Sequence, residues 1–162
     1  MMLKAVLFDL GGTLIEEGDG SYFPKAFPYS VKLLTKLKPK FKLAIVCNTT
    51  ETLDFVREAM NATGILDFFD AVIVSTDVGS RKPEERIFKI ALDRLGVKPR
   101  EAVMVGNRIT TDILGGNMAG MKTVLIKWKC KYYEPITSEQ EKPSHTIYSL
   151  EELIPIIEKN AP

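Results

Sequence analysis

The sequence predicts an α/β fold in which a parallel sheet lies between layers of helices. Five short apolar segments of strand length recur, at 5–8, 43–46, 71–74, 102–105 and 123–126. Each is apolar on both faces and contains β-branched residues, which is typical of strands buried inside a parallel sheet. Segments with helical periodicity separate them. An alternation of strand and helix indicates a doubly wound sheet with right-handed crossovers.

The helices are predicted from apolar residues spaced three and four positions apart. They cover residues 29–37, 51–62, 84–95 and 149–159. In the last of them, Ser149 and Glu152 have the spacing of a capping box, and we expect Pro155 to kink the helix or end its first part. A further helix is expected to open near Thr111 and Asp112.

Length and composition are those of one globular domain. The chain has 162 residues, of which 27% are charged, and its formal net charge is +1. This near balance gives no indication of a nucleic-acid-binding surface. No apolar run approaches the ~18 residues that a membrane span needs. Cys47 and Cys130 are too few for a disulfide framework, so we expect free thiols and a cytoplasmic location for a single domain at 1–162.

Polar residues follow the strands at the sheet edge where doubly wound folds bind their ligands. Asp9 follows the first strand, and the next three strands are followed by the sequences "CNTT", "STDVGSRKP" and "GNRITTD". Because the carboxyl ends of parallel strands meet at one edge, these side chains are expected to lie close together. The sequence therefore predicts a site at this edge.

Lys82 does not fit the residue preferences at the start of a helix. Pro83 is expected at the first helical position of the third predicted helix, with Glu84 and Glu85 in its first turn. The residue before it would ordinarily be Ser, Thr, Asp or Asn. Lys82 has the wrong charge for that helix end, and a broken local rule often marks a functional position. A solvated loop lysine is the alternative.

The sequence "GNRITTD" also allows two interpretations. Thr111 and Asp112 fit a helix start, as a cap and a first-turn acid. In the functional interpretation, oxygens of Asn107 and Asp112 lie opposite Asp9 and bind Mg²⁺, which needs few protein ligands because it keeps several waters.

Taken together, the four loops resemble the haloacid dehalogenase (HAD) superfamily of aspartate-nucleophile hydrolases, most of which are phosphatases. The matching features lie in order within residues 4–127. They are Asp9 with Gly12 and Thr13, the polar end of the second strand, Lys82–Pro83, and the "GNRITTD" loop. The resemblance implies a Rossmannoid three-layer α/β/α core with a central parallel sheet.

The resemblance also implies a role for each matching residue. Asp9 would be the nucleophile that forms an aspartyl-phosphate, and Lys82 would offset charge between Asp9 and the phosphate. The other assignments are phosphate binding by Gly12, Thr13, Cys47, Asn48 and Lys82, and Mg²⁺ binding by Asp9, the Gly11 carbonyl, Asn107 and Asp112. Backbone N–H groups of the 10–14 turn are further candidates for holding phosphate oxygens.

Three positions depart from the phosphatase pattern. Gly11 stands where these enzymes usually have a second Asp as general acid/base, a group that contributes ~10²–10⁴-fold. Asn107 replaces an acid, which should lower Mg²⁺ affinity. Cys47 replaces Ser or Thr, which are better hydrogen-bond donors to phosphate. Cys47 is alternatively a small core residue, and Thr49 could take its place if the alignment slips.

These departures leave more than one function open. The expected activity is that of an Mg²⁺-dependent phosphatase with a weakened acid/base step. The alternative is a catalytically silent protein that binds a phosphorylated ligand or a partner protein. A metal-independent dehalogenase-like hydrolase is less favoured, because the spacing from Asn107 to Asp112 is longer than the resemblance to dehalogenases would require.

The stretch between Asp9 and the second strand has only about 35 residues, too few for a large cap domain. We expect an open site under a short flap at about 15–25, which admits a phosphorylated and even macromolecular substrate. In the flap, Glu16, Glu17 or Asp19 could supply the missing proton donor, or form an ordinary solvated acidic loop. Residues 128–144 are expected to form a surface excursion, and a homodimer stays open.

Overall fold

The computed structural model describes residues 2–17, 24–128 and 134–160. In these ranges six strands form one parallel sheet: β1 (Ala5–Phe8), β2 (Lys42–Cys47), β3 (Ala71–Val74), β4 (Ala102–Gly106), β5 (Lys122–Ile126) and β6 (His145–Ile147). Their order across the sheet is β3-β2-β1-β4-β5-β6, and every pair is parallel. The strand order reverses beside β1, which makes the carboxyl end of β1 the expected ligand position.

The helices of the described ranges cover both faces of this sheet. They are α1 (Ser30–Leu37), α2 (Leu53–Ala62), α3 (Ser75–Val78), α4 (Glu85–Leu95), α5 (Leu114–Met118) and α6 (Leu153–Glu158). The predicted three-layer α/β/α architecture is therefore confirmed. None of these helices combines the length and the apolar character that a membrane crossing requires.

The alternation of side chains along β1 explains the two layers. Val6 and Phe8 belong to one buried cluster, which includes Leu33 and Leu34 of α1. Ala5 and Leu7 point to the other face, where they join the cluster that contains Phe88 of α4. Because β1 is buried on both faces, its carboxyl end is fixed in place, and the residue that follows it, Asp9, has a rigid support.

Two predictions about proline are wrong. Helix α4 begins at Glu85, with Glu84 at its N-cap, so Pro83 lies in the preceding loop, joined to Lys82 by a cis peptide bond. Pro155 does not kink a long helix, because α6 begins only at Leu153, after a 3₁₀ turn. The proline thus lies in the first turn of α6, where a missing N–H removes no helical hydrogen bond.

Two predicted caps also differ. Glu152 does reach back, accepting from the Tyr148 N–H at 3.1 Å, but the Ser149 hydroxyl donates to Glu152 instead of accepting from the backbone. Thr111 caps no helix, because it lies inside a π-helical turn, Ile109–Ile113, that runs directly into α5.

The described parts of the flap and of the excursion are tied to the core. Ile15 forms isolated bridges to Gly11 and Ala26, and between β1 and β2 the described residues form α1 and no separate domain. Asn117 of α5 donates to the carbonyls of Gln140 and Lys142 in the excursion. Two residues named in the sequence analysis, Asp19 and Cys130, lie outside the described ranges.

Candidate active site

The carboxyl ends of β1, β2 and β4 meet around a cavity of about 560 Å³. Its lining includes Asp9, Gly11, Cys47, Lys82 and Asn107. These residues come from four separate loops, so the fold brings together side chains that are up to 98 positions apart in the sequence. The predicted clustering at this edge of the sheet is confirmed.

Three charged residues form the base of this cavity, which we call the charged floor: Asp9, Lys82 and Asp112. The Lys82 ammonium lies 2.8 Å from Asp9 Oδ1 and 2.6 Å from Asp112 Oδ1. Exposure falls from 9% for Asp9 to 2% for Lys82 and 1% for Asp112. A buried ammonium is costly unless it is paired, and here two carboxylates pair with it. Lys82 is therefore no solvated loop lysine.

The floor is electrostatically unbalanced. Burial by itself would lower the pKa of Lys82, but Asp112 and Asp9 raise that pKa above its ordinary value, so the ammonium stays charged. Burial, and next the charge of Asp9, raise the pKa of Asp112 to about 6, although Lys82 acts in the opposite direction. When both acids are ionised, two negative charges face one positive charge, which favours the binding of a further cation.

Asn48 holds the backbone of Lys82. Its Oδ1 accepts from the Lys82 N–H at 2.8 Å, and its Nδ2 donates to the Lys82 carbonyl at 2.9 Å. Because its oxygen and one of its two N–H groups are used in this way, the Asn48 side chain fixes the backbone of Lys82. The phosphate-binding role of Asn48 stays a prediction.

Gly12 and Thr13 shape the turn after β1, and their role in phosphate binding stays a prediction. The Thr13 hydroxyl is buried and donates to Asp9 Oδ2 at 3.3 Å. The Thr13 N–H donates to the Leu10 carbonyl, and the Gly12 N–H donates to the Ile15 carbonyl. The backbone donors expected for phosphate are thus mostly used inside the turn. Leu10 and Gly11 are the turn residues that open on the cavity in front of Asp9.

Asp112 lies behind Lys82 and does not line the cavity. Its Oδ1 accepts from Lys82, and its Oδ2 accepts from the Arg108 N–H at 3.1 Å. With both oxygens engaged, Asp112 orients Lys82, and its assignment as a metal ligand stays a prediction. The position depends on Gly106, because a Cβ there would lie 2.2 Å from Asp112 Oδ2.

Asn107 provides the observation that bears on a metal. Its Oδ1 is buried and has no hydrogen-bond partner among the described residues. An amide oxygen, the Asp9 carboxylate and the Gly11 carbonyl are hard oxygen donors of the kind that Mg²⁺ takes while it keeps several waters. No group of three or more His, Cys, Asp or Glu suited to a metal occurs in the described ranges. The donor set therefore fits Mg²⁺ better than it fits Zn²⁺.

Cys47 lines the cavity as a neutral thiol. Its Sγ donates to the Asn48 carbonyl at 3.6 Å. Burial, followed by the charge of Asp9, raises the pKa of this thiol to about 12. Thr49 also lines the cavity, but its hydroxyl oxygen accepts from the Glu51 N–H. Of the two residues, only Thr49 keeps an O–H that no described residue accepts, because a hydroxyl oxygen that accepts one hydrogen bond can still donate its own proton.

A larger cavity of about 850 Å³ adjoins the first and shares Glu16, Glu17 and Asn107 with it. It is lined by aromatic side chains, among them Trp128, whose indole N–H donates to the Gly12 carbonyl at 3.2 Å. Sequence reasoning missed this cavity, because Trp128 was assigned to a surface excursion. The indole ties the end of β5 to the turn that carries Asp9.

Comparisons with known proteins agree with this geometry. The glyceraldehyde 3-phosphate phosphatase of Methanocaldococcus jannaschii is 34% identical over 96% of this chain and 69% of its own length. That of Methanothermobacter thermautotrophicus is 41% identical over 63% of this chain and 45% of its own. The chain spans about half the length of the first curated relatives it matches, at 45%, 58% and 38%.

The fold and the sequence model point to the same family. The crystal structure of a HAD phosphatase from Thermococcus onnurineus superposes with a TM-score of 0.81 at 26% identity, covering 96% of this chain and 98% of that one. Residues 19–126 match the model of the haloacid dehalogenase-like hydrolases. This chain, with an aspartate held by a buried lysine at the end of its central strand, belongs to the haloacid dehalogenase-like hydrolase family.

Proposed function

We propose that this protein is a phosphatase that uses Asp9 to accept the phosphoryl group of a phosphate monoester and then releases it to water. The observation that carries this proposal is Lys82, which is buried, bonds to Asp9 through its ammonium at 2.8 Å and lines the same cavity as Asp9. A carboxylate is a weak nucleophile, but an acyl-phosphate intermediate divides hydrolysis into two easier steps.

The residues around Asp9 have complementary tasks. Lys82 and the Thr13 hydroxyl each bond one oxygen of Asp9, which holds the carboxylate for attack on phosphorus. The positive charge of Lys82 opposes the negative charge of the incoming phosphate. Mg²⁺, held by Asp9, the Gly11 carbonyl and Asn107, would supply further positive charge next to the phosphate oxygens.

We propose small phosphate monoesters as substrates in an open site without a large cap, and the cytoplasm as the location. Support for the substrate class comes from the adjoining 850 Å³ cavity, whose aromatic lining can receive an organic leaving group. The relatives named glyceraldehyde 3-phosphate phosphatase favour the same class. The free, buried thiol of Cys47 is consistent with a reducing compartment.

The second candidate function is binding of a phosphorylated ligand or partner without turnover. Gly11 favours it, because this position lacks the carboxylate that a complete phosphatase site would have there. The two candidates differ in what Asp9 is needed for. A nucleophile is indispensable to turnover, whereas a binding protein needs only the charge balance and shape of the cavity.

The test is Mg²⁺-dependent hydrolysis of an aryl phosphate by the wild type and by Asp9→Asn. The expected loss is about 10³-fold or more, the scale on which removal of a nucleophile is felt. Activity of the wild type should also disappear on chelation of Mg²⁺. Equal rates for wild type and Asp9→Asn would overturn the proposal and favour the binding protein, which equilibrium binding of inorganic phosphate would then measure.

A further inference from the structure

The geometry points to Glu17 as the general acid/base of this site, in the place of the carboxylate that Gly11 lacks. This inference rests on the proposed phosphatase function and adds the residue that completes it. The sequence alone leaves three acids of the flap as candidates, and Asp19 lies outside the described residues. Glu16 and Glu17 are both described, and their surroundings differ.

The side chain of Glu17 occupies the space above Gly11. Apart from the two residues next to it in the sequence, a Cβ built on Gly11 would have one neighbour within 4 Å, Glu17 Cγ at 3.7 Å. A Cβ built on Gly12 would lie 3.2 Å from Glu17 Oε1. The Glu17 carboxyl group therefore lies over the step from Gly11 to Gly12, in the region that a longer side chain at position 11 would enter.

Burial and contacts distinguish Glu17 from Glu16. Ile15 bridges to Ala26, and the Glu16 N–H donates to the Lys25 carbonyl at 2.8 Å, which holds this segment beside residues 25–26. Both acids line the two cavities. Glu16 is exposed, however, whereas Glu17 is half-buried, and the side chain that lies over Gly11 is that of Glu17.

The Glu17 carboxyl group is also free to act. It lines the same cavity as Asp9 and Lys82. Among residues 2–17, 24–128 and 134–160, no hydrogen bond or ion pair engages it. It also lines the adjoining cavity that would receive the leaving group. A proton on Glu17 is therefore placed between the phosphoryl acceptor and the departing group.

The reaction then balances with Asp9, Glu17 and water. In the first step an Asp9 oxygen bonds to phosphorus, the bond from phosphorus to the ester oxygen breaks, and the carboxylic acid of Glu17 gives its proton to that oxygen. In the second step the Glu17 carboxylate takes a proton from water, and the resulting hydroxide bonds to phosphorus. The bond between phosphorus and Asp9 breaks, the electron pair returns to the Asp9 carboxylate, and phosphate leaves. Glu17 ends protonated, as it began.

The experiment compares two substrates on matched variants. A general acid matters most when the leaving group is a poor one, such as an alkoxide, and least when it is a nitrophenolate. For Glu17→Gln we expect kcat/KM to fall about 10²-fold or more on an alkyl phosphate, and about tenfold or less on p-nitrophenyl phosphate. Glu51→Gln, which removes an exposed carboxylate lining the same cavity, should alter neither rate more than about twofold.

A rescue variant separates chemistry from structure. Gly11 has no left-handed φ, and a Cβ there meets Glu17 only at ordinary contact distance, so the site can accommodate Gly11→Asp. Added to Glu17→Gln, this substitution should recover at least about tenfold of the lost activity on the alkyl phosphate. Recovery by a carboxylate attached at a different backbone position would not follow if Glu17 merely supported the flap.

Several results would overturn the inference. One is an equal loss on both substrates, accompanied by a higher Mg²⁺ requirement, which would make Glu17 a metal ligand. Another is a substrate-dependent loss for Glu16→Gln instead of Glu17→Gln. If Asp9→Asn abolishes activity while Glu17→Gln leaves the ratio between substrates unchanged, only this inference fails. If Asp9→Asn is fully active, the proposed function fails with it.

Discussion

The charged floor differs in its bonding from the neighbouring residues Gly11, Gly12 and Glu17, which we call the rim. On the floor, Asp9, Lys82 and Asp112 are buried and bonded to one another. On the rim, Gly11 contributes no side chain, and Glu17 is half-buried with no bonding partner among the described residues. The three positions that depart from the phosphatase pattern, Gly11, Cys47 and Asn107, all face the cavity. Under the proposed function, the difference teaches that the residues that would accept the phosphoryl group are retained, whereas positions that would handle protons, metal and phosphate oxygens have changed.

The largest effect is expected from Lys82→Met, which breaks the floor. Methionine is flexible enough to fill the space of the lysine stem, but it leaves the carboxylates of Asp9 and Asp112 without their shared cation. An uncompensated buried charge costs about 3–5 kcal/mol in the free energy of unfolding. Thermal or denaturant unfolding should show this loss, and aryl phosphate hydrolysis should fall about 10³-fold.

The stability lost in Lys82→Met is also expected to depend on pH. The pKa of Asp112 is raised by burial and by Asp9 from 3.8 to about 6, so the stability it contributes is present in acid and is lost as pH rises through that value. Without Lys82, which lowers the pKa of Asp112, the loss extends to higher pH. The gap in Tm between wild type and variant, measured with a chelator, should be larger at about pH 8 than at about pH 5. A gap that is independent of pH would contradict this account of the floor.

On the rim, Gly12→Ala and Gly11→Ala form a matched pair. Gly12 has φ +77°, and a Cβ there would lie 2.4 Å from Asn107 Nδ2, whereas Gly11 meets nothing closer than 3.7 Å. We expect Gly12→Ala to lose about 1–3 kcal/mol of stability from backbone strain and to displace Asn107. Gly11→Ala should change stability by less than about 0.5 kcal/mol. Equal melting temperatures for the two variants would show that the turn is less constrained than its geometry indicates.

The smallest effect on activity is expected from a change at Asn48, because this residue holds the backbone of Lys82 and not its ammonium group. Asn48→Ala removes both bonds to the Lys82 backbone, while the ammonium keeps its carboxylates. We expect kcat to fall about tenfold, less than the ~10²-fold that accompanies a 1 Å displacement of a reacting group. Glu51→Gln is the control, since the Glu51 side chain lines the same cavity without bonding Lys82. A loss for both variants alike would assign the effect to the loop and not to Lys82.

The strands could be predicted because a buried strand leaves a continuous run of apolar residues in the sequence. The segments at 5–8 and 71–74 coincide with β1 and β3, and β2, β4 and β5 extend beyond their predicted segments by one or two residues. β6 was missed, since it has only three residues, of which Ile147 alone is buried. A strand of this kind, with two exposed positions out of three, leaves no apolar run in the sequence.

The sequence predicts which loops meet at the site, but it does not predict which side chains bond to one another there. The topology alone brings Asp9, Lys82 and Asn107 to one edge. The bond of Asn48 to Lys82 joins residues 34 positions apart, and nothing local in the sequence signals it. The choice between Glu16 and Glu17 depends on burial and on the contact over Gly11, which is made by Glu17 and which the order of residues does not reveal.

The space over Gly106 has a consequence for redesign. This glycine contributes no atom to chemistry, yet any side chain there would overlap Asp112, with a Cβ only 2.2 Å from its Oδ2. Displacing Asp112 would remove one of the two partners of Lys82. In a library of variants aimed at new substrates, position 106 therefore has to be held constant together with the charged residues, while the cavity walls remain open to change.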